Sequence, residues 1–187
     1  MALTDPAPRQ HIHTRQIRCQ GFKRDDGLWD IEGEMTDTKT YSFENKDRGT
    51  INSGEPIHHM LLRLTVDDSL KVHDIEASTE KGPYAICGDI TPALKGLIGA
   101  SIKPGWRREV IKHFGGTQGC THLSDMLQGP MAVTAWQTII PARQKRQAER
   151  ASGKKPVLLD TCHALDSHGP VVARDWPAFY IPPETET

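Results

Sequence analysis

Apolar and polar residues alternate along the first half of the chain and recur at helical spacing along the second. Ile17 and Cys19 alternate with Arg18 and Gln20 before Gly21. Arg24-Asp25-Asp26-Gly27 is a turn signal, because Asp-Gly supplies the positive φ that tight hairpins need. After it, Trp29, Ile31, Gly33 and Met35 share one face and Asp30, Glu32 and Glu34 the other, which predicts a half-buried strand and a first β-hairpin. A loop over 47–56 leads to the clearest strand, Ile57 to Val66, with Met60, Leu62, Leu64 and Val66 on one face. Asp67-Asp68-Ser69 turns the chain into a strand from about Leu70 to Ser78, with His73, Ile75 and Ala77 on one face.

Residues 82–105 carry so many Gly and Pro that only short elements fit. Trp106 to Phe114 reads as a short helix with Val110, Ile111 and Phe114 on one face, stopped by Gly115-Gly116. Thr121 is the expected N-cap of a further helix, from about His122 toward Arg150, which Pro130 and Pro141 should break or kink. The basic run within 143–155 is read as a solvated helix end. The expectation is an α+β fold: an antiparallel sheet from the N-terminal half packed against C-terminal helices. Residues 12–187 would form a single domain and residues 1–11 a flexible arm.

Composition narrows the function. A chain of 187 residues can bury a real core without disulfides. It has no apolar run of about 18 residues, so no membrane helix is expected. With 23 basic against 24 acidic residues, the chain lacks the charge footprint of a nucleic-acid binder. The polar first ten residues lack a signal-peptide core, and the expected compartment is the cytoplasm. Its four cysteines are then expected as thiols. A small-molecule ligand or substrate is the expected partner, and homo-oligomerisation is left open.

Cys and His carry the candidate chemistry. In Gly119-Cys120-Thr121-His122, side chains two residues apart reach the same side of an extended turn, with Asp125 one helical turn further on. Cys87 and one member of Cys162-His163 are the further candidates. Cys87, Cys120, His122, Cys162 and His163 are therefore the metal-ligand candidates, for Zn²⁺ or another divalent transition metal. The same residues permit a metal-free site: Cys120, placed where a helix dipole favours thiolate, as nucleophile, with His122 or His163 as base. His58 shares a strand face with Met60 and could act as a general base at a cavity. Arg63, on the opposite face, could clamp a carboxylate, or pair with Asp26 or Asp30.

A set of short motifs in order resembles a bacterial family known as domain of unknown function 2889. They are Arg24-Asp25-Asp26-Gly27-Leu28-Trp29-Asp30, Asp37-Thr38-Lys39, Gly54-Glu55-Pro56-Ile57-His58, Met60 with Leu62-Arg63-Leu64, Pro83-Tyr84 with Cys87, Gly119-Cys120-Thr121-His122-Leu123 and Cys162-His163-Ala164-Leu165. They span about residues 15–180. The resemblance implies a small bacterial cytoplasmic protein and assigns no reaction. The leading expectation is a small cytoplasmic enzyme on an organic molecule, with a Cys/His metal site. The alternatives are a non-enzymatic ligand- or partner-binding protein with structural cysteines, and a metal-free Cys/His nucleophilic enzyme.

Overall fold

The computed structural model describes residues 3–148, 155, 156 and 158–182. The chain divides into two compact units, Met1–Gln144 and Lys145–Thr187. The first is an α+β unit built on a four-stranded antiparallel sheet, with strand order β1-β2-β5-β6. The strands are β1 (His13–Lys23), β2 (Trp29–Lys39), β5 (Pro56–Val66) and β6 (Val72–Lys81). A small hairpin of β3 (Phe43–Asn45) and β4 (Gly49–Ile51) lies between β2 and β5 in sequence. Residues 3–11 have no regular structure and are exposed.

Both expected hairpins form, the first around the Asp-Gly turn with Gly27 at φ 88°. The alternation holds along β2, where every second residue from Trp29 to Asp37 is buried. Ile31, Met35, Met60, Leu64 and Ile75 from the sheet form one apolar core with Val110, Phe114, Leu123, Met126, Leu127 and Met131. Those last residues belong to α1 (Trp106–Phe114), α2 (Thr121–Gln128) and α3 (Pro130–Ala148). Burial of each large side chain contributes about 1.5–3 kcal/mol, so this helix-on-sheet layer dominates the stability of the unit.

Four expectations shift. Ile111 is 57% exposed and lies off the buried face that Val110 and Phe114 share. His73 does not share the face of Ile75: it is exposed and its Nε2 lies 2.8 Å from Asp67, because the β5–β6 register slips between Thr65 and Val66. Such a slip inverts side-chain parity. Thr121 is the first residue of α2 and Cys120 holds the N-cap position, with no side-chain cap. The expected long helix is broken before Pro130, which opens α3, whereas α3 continues through position 141. Pro suits a first helical turn, where its missing N–H is not needed. The side chains of the basic run over 143–154 lie outside the described residues.

The second unit is small. Its backbone is tied by Asp160, which accepts from the Ser167 amide (2.8 Å) and hydroxyl (2.9 Å), and Leu159 and Val172 are buried. Cys162 and His163 are exposed there, His163 opening a single 3₁₀ turn. The chain contains, among the described residues, no helix long and apolar enough to cross a membrane.

Candidate active site around Asp37, His58, Cys120 and His122

The inward face of β2 ends on a carboxylate. Asp37 follows Ile31, Gly33 and Met35 in the buried parity and is only 2% exposed. A buried carboxylate must be paired, and strand register supplies the partners. Arg15 of β1 and His58 of β5 are both in register with Asp37. Arg15 donates from Nε to Oδ1 and from Nη2 to Oδ2, each at 2.8 Å, the fork geometry that suits a carboxylate. His58 Nδ1 lies 3.0 Å from Oδ2 and donates to it. His13 Nε2 lies 3.1 Å from Oδ1. The β2–β5 register slips immediately after this pair, between Asp37 and Thr38.

Arg48, between β3 and β4, fixes the start of β5. It donates to the carbonyls of Pro56 (3.0 Å) and Ile57 (3.2 Å) and pairs with Glu55 (2.6 Å). His58 is the next residue, so its place beside Asp37 is held by the sheet on one side and by Arg48 on the other.

The first turn of α2 brings the remaining groups. The His122 ring stacks on His58, with centroids 3.9 Å apart and planes at 36°. His122 Nε2 lies 3.8 Å from Asp37 Oδ2, and its Nδ1 lies 3.9 Å from Cys120 Sγ. Thiol, imidazole and carboxylate thus follow one another, the imidazole presenting a different nitrogen to each neighbour. The tautomer that fits has Nε2–H facing the carboxylate and the Nδ1 lone pair facing the thiol. Asp125, expected beside His122, instead faces solvent, 3.6 Å from Arg15 Nη1.

The charges follow from burial and neighbours. Burial alone would push the Asp37 carboxyl up, but the Arg15 hydrogen bonds and charge, with those of His58, outweigh it and hold it below the usual aspartate value. Burial lowers His58, against the opposing pull of Asp37. Burial lowers His122 too, helped by the neighbouring His58 and Arg15 charges. Both imidazoles are therefore neutral near pH 7 and can accept a proton.

Of the other sequence candidates, Arg63 and Cys87 lie elsewhere in the first unit. Arg63 is on the outer face of the sheet, paired with Glu32 (2.8 Å) and Glu76 (3.6 Å) rather than with Asp26 or Asp30. Together with Arg18 and Lys95 it lines an open groove of about 720 Å³ on that face. Cys87 sits in a 3₁₀ turn over Ala85–Gly88 and packs beside Gly82. Cys162 and His163 belong to the second unit. Among the described residues, the one group of three His, Cys, Asp or Glu side chains with ligand atoms within 4.8 Å of one another is Asp37, His58 and His122. It combines two candidates with one residue that was not a candidate. The missed signal was parity: Asp37 occupies an inward position of an apolar strand, and a carboxylate there requires a partner.

The family model described as protein of unknown function (DUF2889) matches residues 13–137, which include Asp37, His58, Cys120 and His122. The chain belongs to this family. Comparison with curated proteins gave no match, and neither did comparison with solved structures.

Proposed function

We propose that the protein is an enzyme that acts on a small organic acyl compound, with Cys120 as nucleophile, His122 as its base and Asp37 as the carboxylate that orients His122. The observation that carries this reading is the succession Cys120 Sγ, His122 Nδ1, His122 Nε2, Asp37 Oδ2, with spacings of 3.9 and 3.8 Å across its two gaps. The first is a long hydrogen-bond contact to sulfur and the second exceeds hydrogen-bond length, as is common in catalytic sets before substrate closes them.

In the step proposed, Sγ adds to the carbonyl carbon of the substrate and His122 Nδ1 takes the thiol proton. Collapse of the adduct breaks the bond to the leaving group, which takes that proton from His122 as it departs. Water, deprotonated by the same nitrogen, then cleaves the thioester and regenerates the thiol. The first amides of α2 have no intrahelical acceptor and follow Cys120, the N-cap, directly in the chain, so in this proposal they hold the oxyanion of the adduct. His58 acts as a positioning residue: it holds Asp37 from one side and carries the His122 ring on its face. A bacterial, cytoplasmic setting accords with this use of an unbridged cysteine, and all four cysteines are free.

The test is acylation by a p-nitrophenyl ester. The wild-type protein should release a burst of one equivalent of nitrophenol, with the acyl group on Cys120. Cys120→Ser should abolish the burst. A burst that survives in Cys120→Ser, or acylation at another cysteine, would overturn the reading. A second reading, a metal-dependent enzyme, is favoured by the convergence of Asp37, His58 and His122 on one point.

A further inference from the structure

From that convergence we propose that Asp37, His58 and His122 form an exchangeable site for a borderline divalent transition metal such as Zn²⁺, whose occupancy switches off the nucleophile Cys120. The inference rests on the proposed function for its regulatory half and on geometry alone for the metal half.

The donor atoms are already close to coordination spacing. Ligands bound at about 2.0–2.2 Å in tetrahedral geometry lie roughly 3.3–3.6 Å apart. Asp37 Oδ2 is 3.0 Å from His58 Nδ1 and 3.8 Å from His122 Nε2, on either side of that value. The three ligand atoms come from β2, β5 and the first turn of α2, elements fixed by the sheet register and the core, so no chain segment has to rearrange. Two imidazoles and one carboxylate select zinc-like ions over Mg²⁺ and Ca²⁺, which require oxygen donors. Cys120 would stand behind His122 rather than on the ion, because its sulfur faces Nδ1 while Nε2 faces Asp37. In that position it accepts from the second ring N–H, the role that carbonyls and carboxylates play behind ligating histidines.

The same surroundings make the site exchangeable. Arg15 already neutralises Asp37 through both oxygens, and its guanidinium repels an incoming cation. Three protein ligands leave a coordination position to water, unlike the closed four-ligand sites that hold zinc as a structural element. Binding would occupy the nitrogen and the oxygen that orient the base, and Nδ1 would become a donor to the thiol instead of an acceptor from it. The ion thereby removes proton acceptance at Cys120 without touching the sulfur.

The experiment uses the full chain, stripped with chelator and titrated calorimetrically with Zn²⁺, in parallel with iodoacetamide alkylation of Cys120 followed by peptide mass spectrometry. One Zn²⁺ per chain is expected. Affinity should fall at least tenfold in both His58→Ala and His122→Gln and stay within threefold in Cys120→Ser, and millimolar Mg²⁺ should not compete. Zn²⁺ should slow alkylation of Cys120 at least fivefold in the wild type and leave its rate unchanged in His58→Ala. Circular dichroism establishes that each variant is folded, and the His58→Gln variant replaces His58→Ala if the latter is not. Affinity unaffected by the histidine substitutions, or lost in Cys120→Ser, would overturn the site. Zinc binding with a Cys120 that is unreactive even without metal would instead refute the proposed function and leave the metal site standing. A reactive Cys120 indifferent to bound zinc would overturn the switch.

Discussion

His58 Nδ1 lies 3.0 Å from Asp37 Oδ2, across a register pair that joins the two central strands of the sheet. The contact belongs both to the fold and to the site. It satisfies a carboxylate that the core buries, and it supports the ring on which His122 rests. Removing Asp37 should therefore affect stability as well as chemistry. Asp37→Ala leaves Arg15 without its main partner, and Arg15 is only about one-third exposed. The expected loss is about 1–3 kcal/mol, below that for a fully buried pair because solvent screens the arginine. Urea unfolding would check this, and an unchanged midpoint would show that the cluster does not hold the strands together.

Stability should fall as the solution is acidified, in two windows. Neutral His58 and His122 have lowered folded pKa values, so the unfolded chain binds more protons than the folded one below about pH 6.5. The stability that depends on their neutrality is complete above that pH and is lost as pH falls through the folded values. Asp37 adds a second loss below about pH 4, since its folded value is also depressed. Unfolding midpoints measured from pH 8 to 4 should decline, with a shallower slope between 6.5 and 5 in His58→Gln. A midpoint that rises on acidification would contradict the protonation states argued here.

Much of this arrangement was legible in the chain and part of it was not. The period-two pattern of Met60, Leu62 and Leu64 located β5 and put His58 on its inward side, because strand parity is set by local sequence. The helical spacing of Val110 and Phe114 located α1. The partner of His58 was hidden for a different reason. Asp37 is 21 residues away, and only the β2–β5 register brings the two together. His13 and Arg15 are four and two residues upstream of Ile17 at its own parity, yet the apolar pattern that marked Ile17 does not mark them. Cys120 and His122 were found by proximity in sequence, but the orientation of the ring between thiol and carboxylate depends on where α2 lands on the sheet. Arg63 illustrates the opposite case: its outward parity was read correctly, and its pairing with Glu32 and Glu76 follows from the cross-strand register.

Arg63→Ala should be nearly silent. Its ion pairs are solvent-exposed and on the far side of the sheet, so the expected change is within about 0.5 kcal/mol, with Cys120 reactivity unaltered. Thermal unfolding together with alkylation of Cys120 would detect any coupling between the two faces.

Gly119 should tolerate no side chain. A Cβ there would run into the carbonyl oxygen of Phe114, which is backbone and cannot move aside as a side chain can. Gly119→Ala must shift the turn that carries Cys120, so the reactivity of Cys120 should fall at least fivefold in protein that still folds. Retention of the wild-type rate would mean that the turn is not what places the thiol.

The cysteines should all titrate as thiols. Four equivalents are expected under denaturing conditions without reductant, since all four are free. Cys19 should be slow in the folded state, because burial pushes its thiol up.

The most direct measurement is the site-resolved rate of iodoacetamide alkylation at pH 7, in the absence of metal, for the wild type and for folded His122→Ala. If His122 is the base of Cys120, the half-buried Cys120 should react faster than the exposed Cys162, and His122→Ala should slow Cys120 about tenfold while leaving Cys162 unchanged. Cys162 reacting first, with Cys120 indifferent to the loss of His122, would contradict the assignment of Cys120 as the nucleophile.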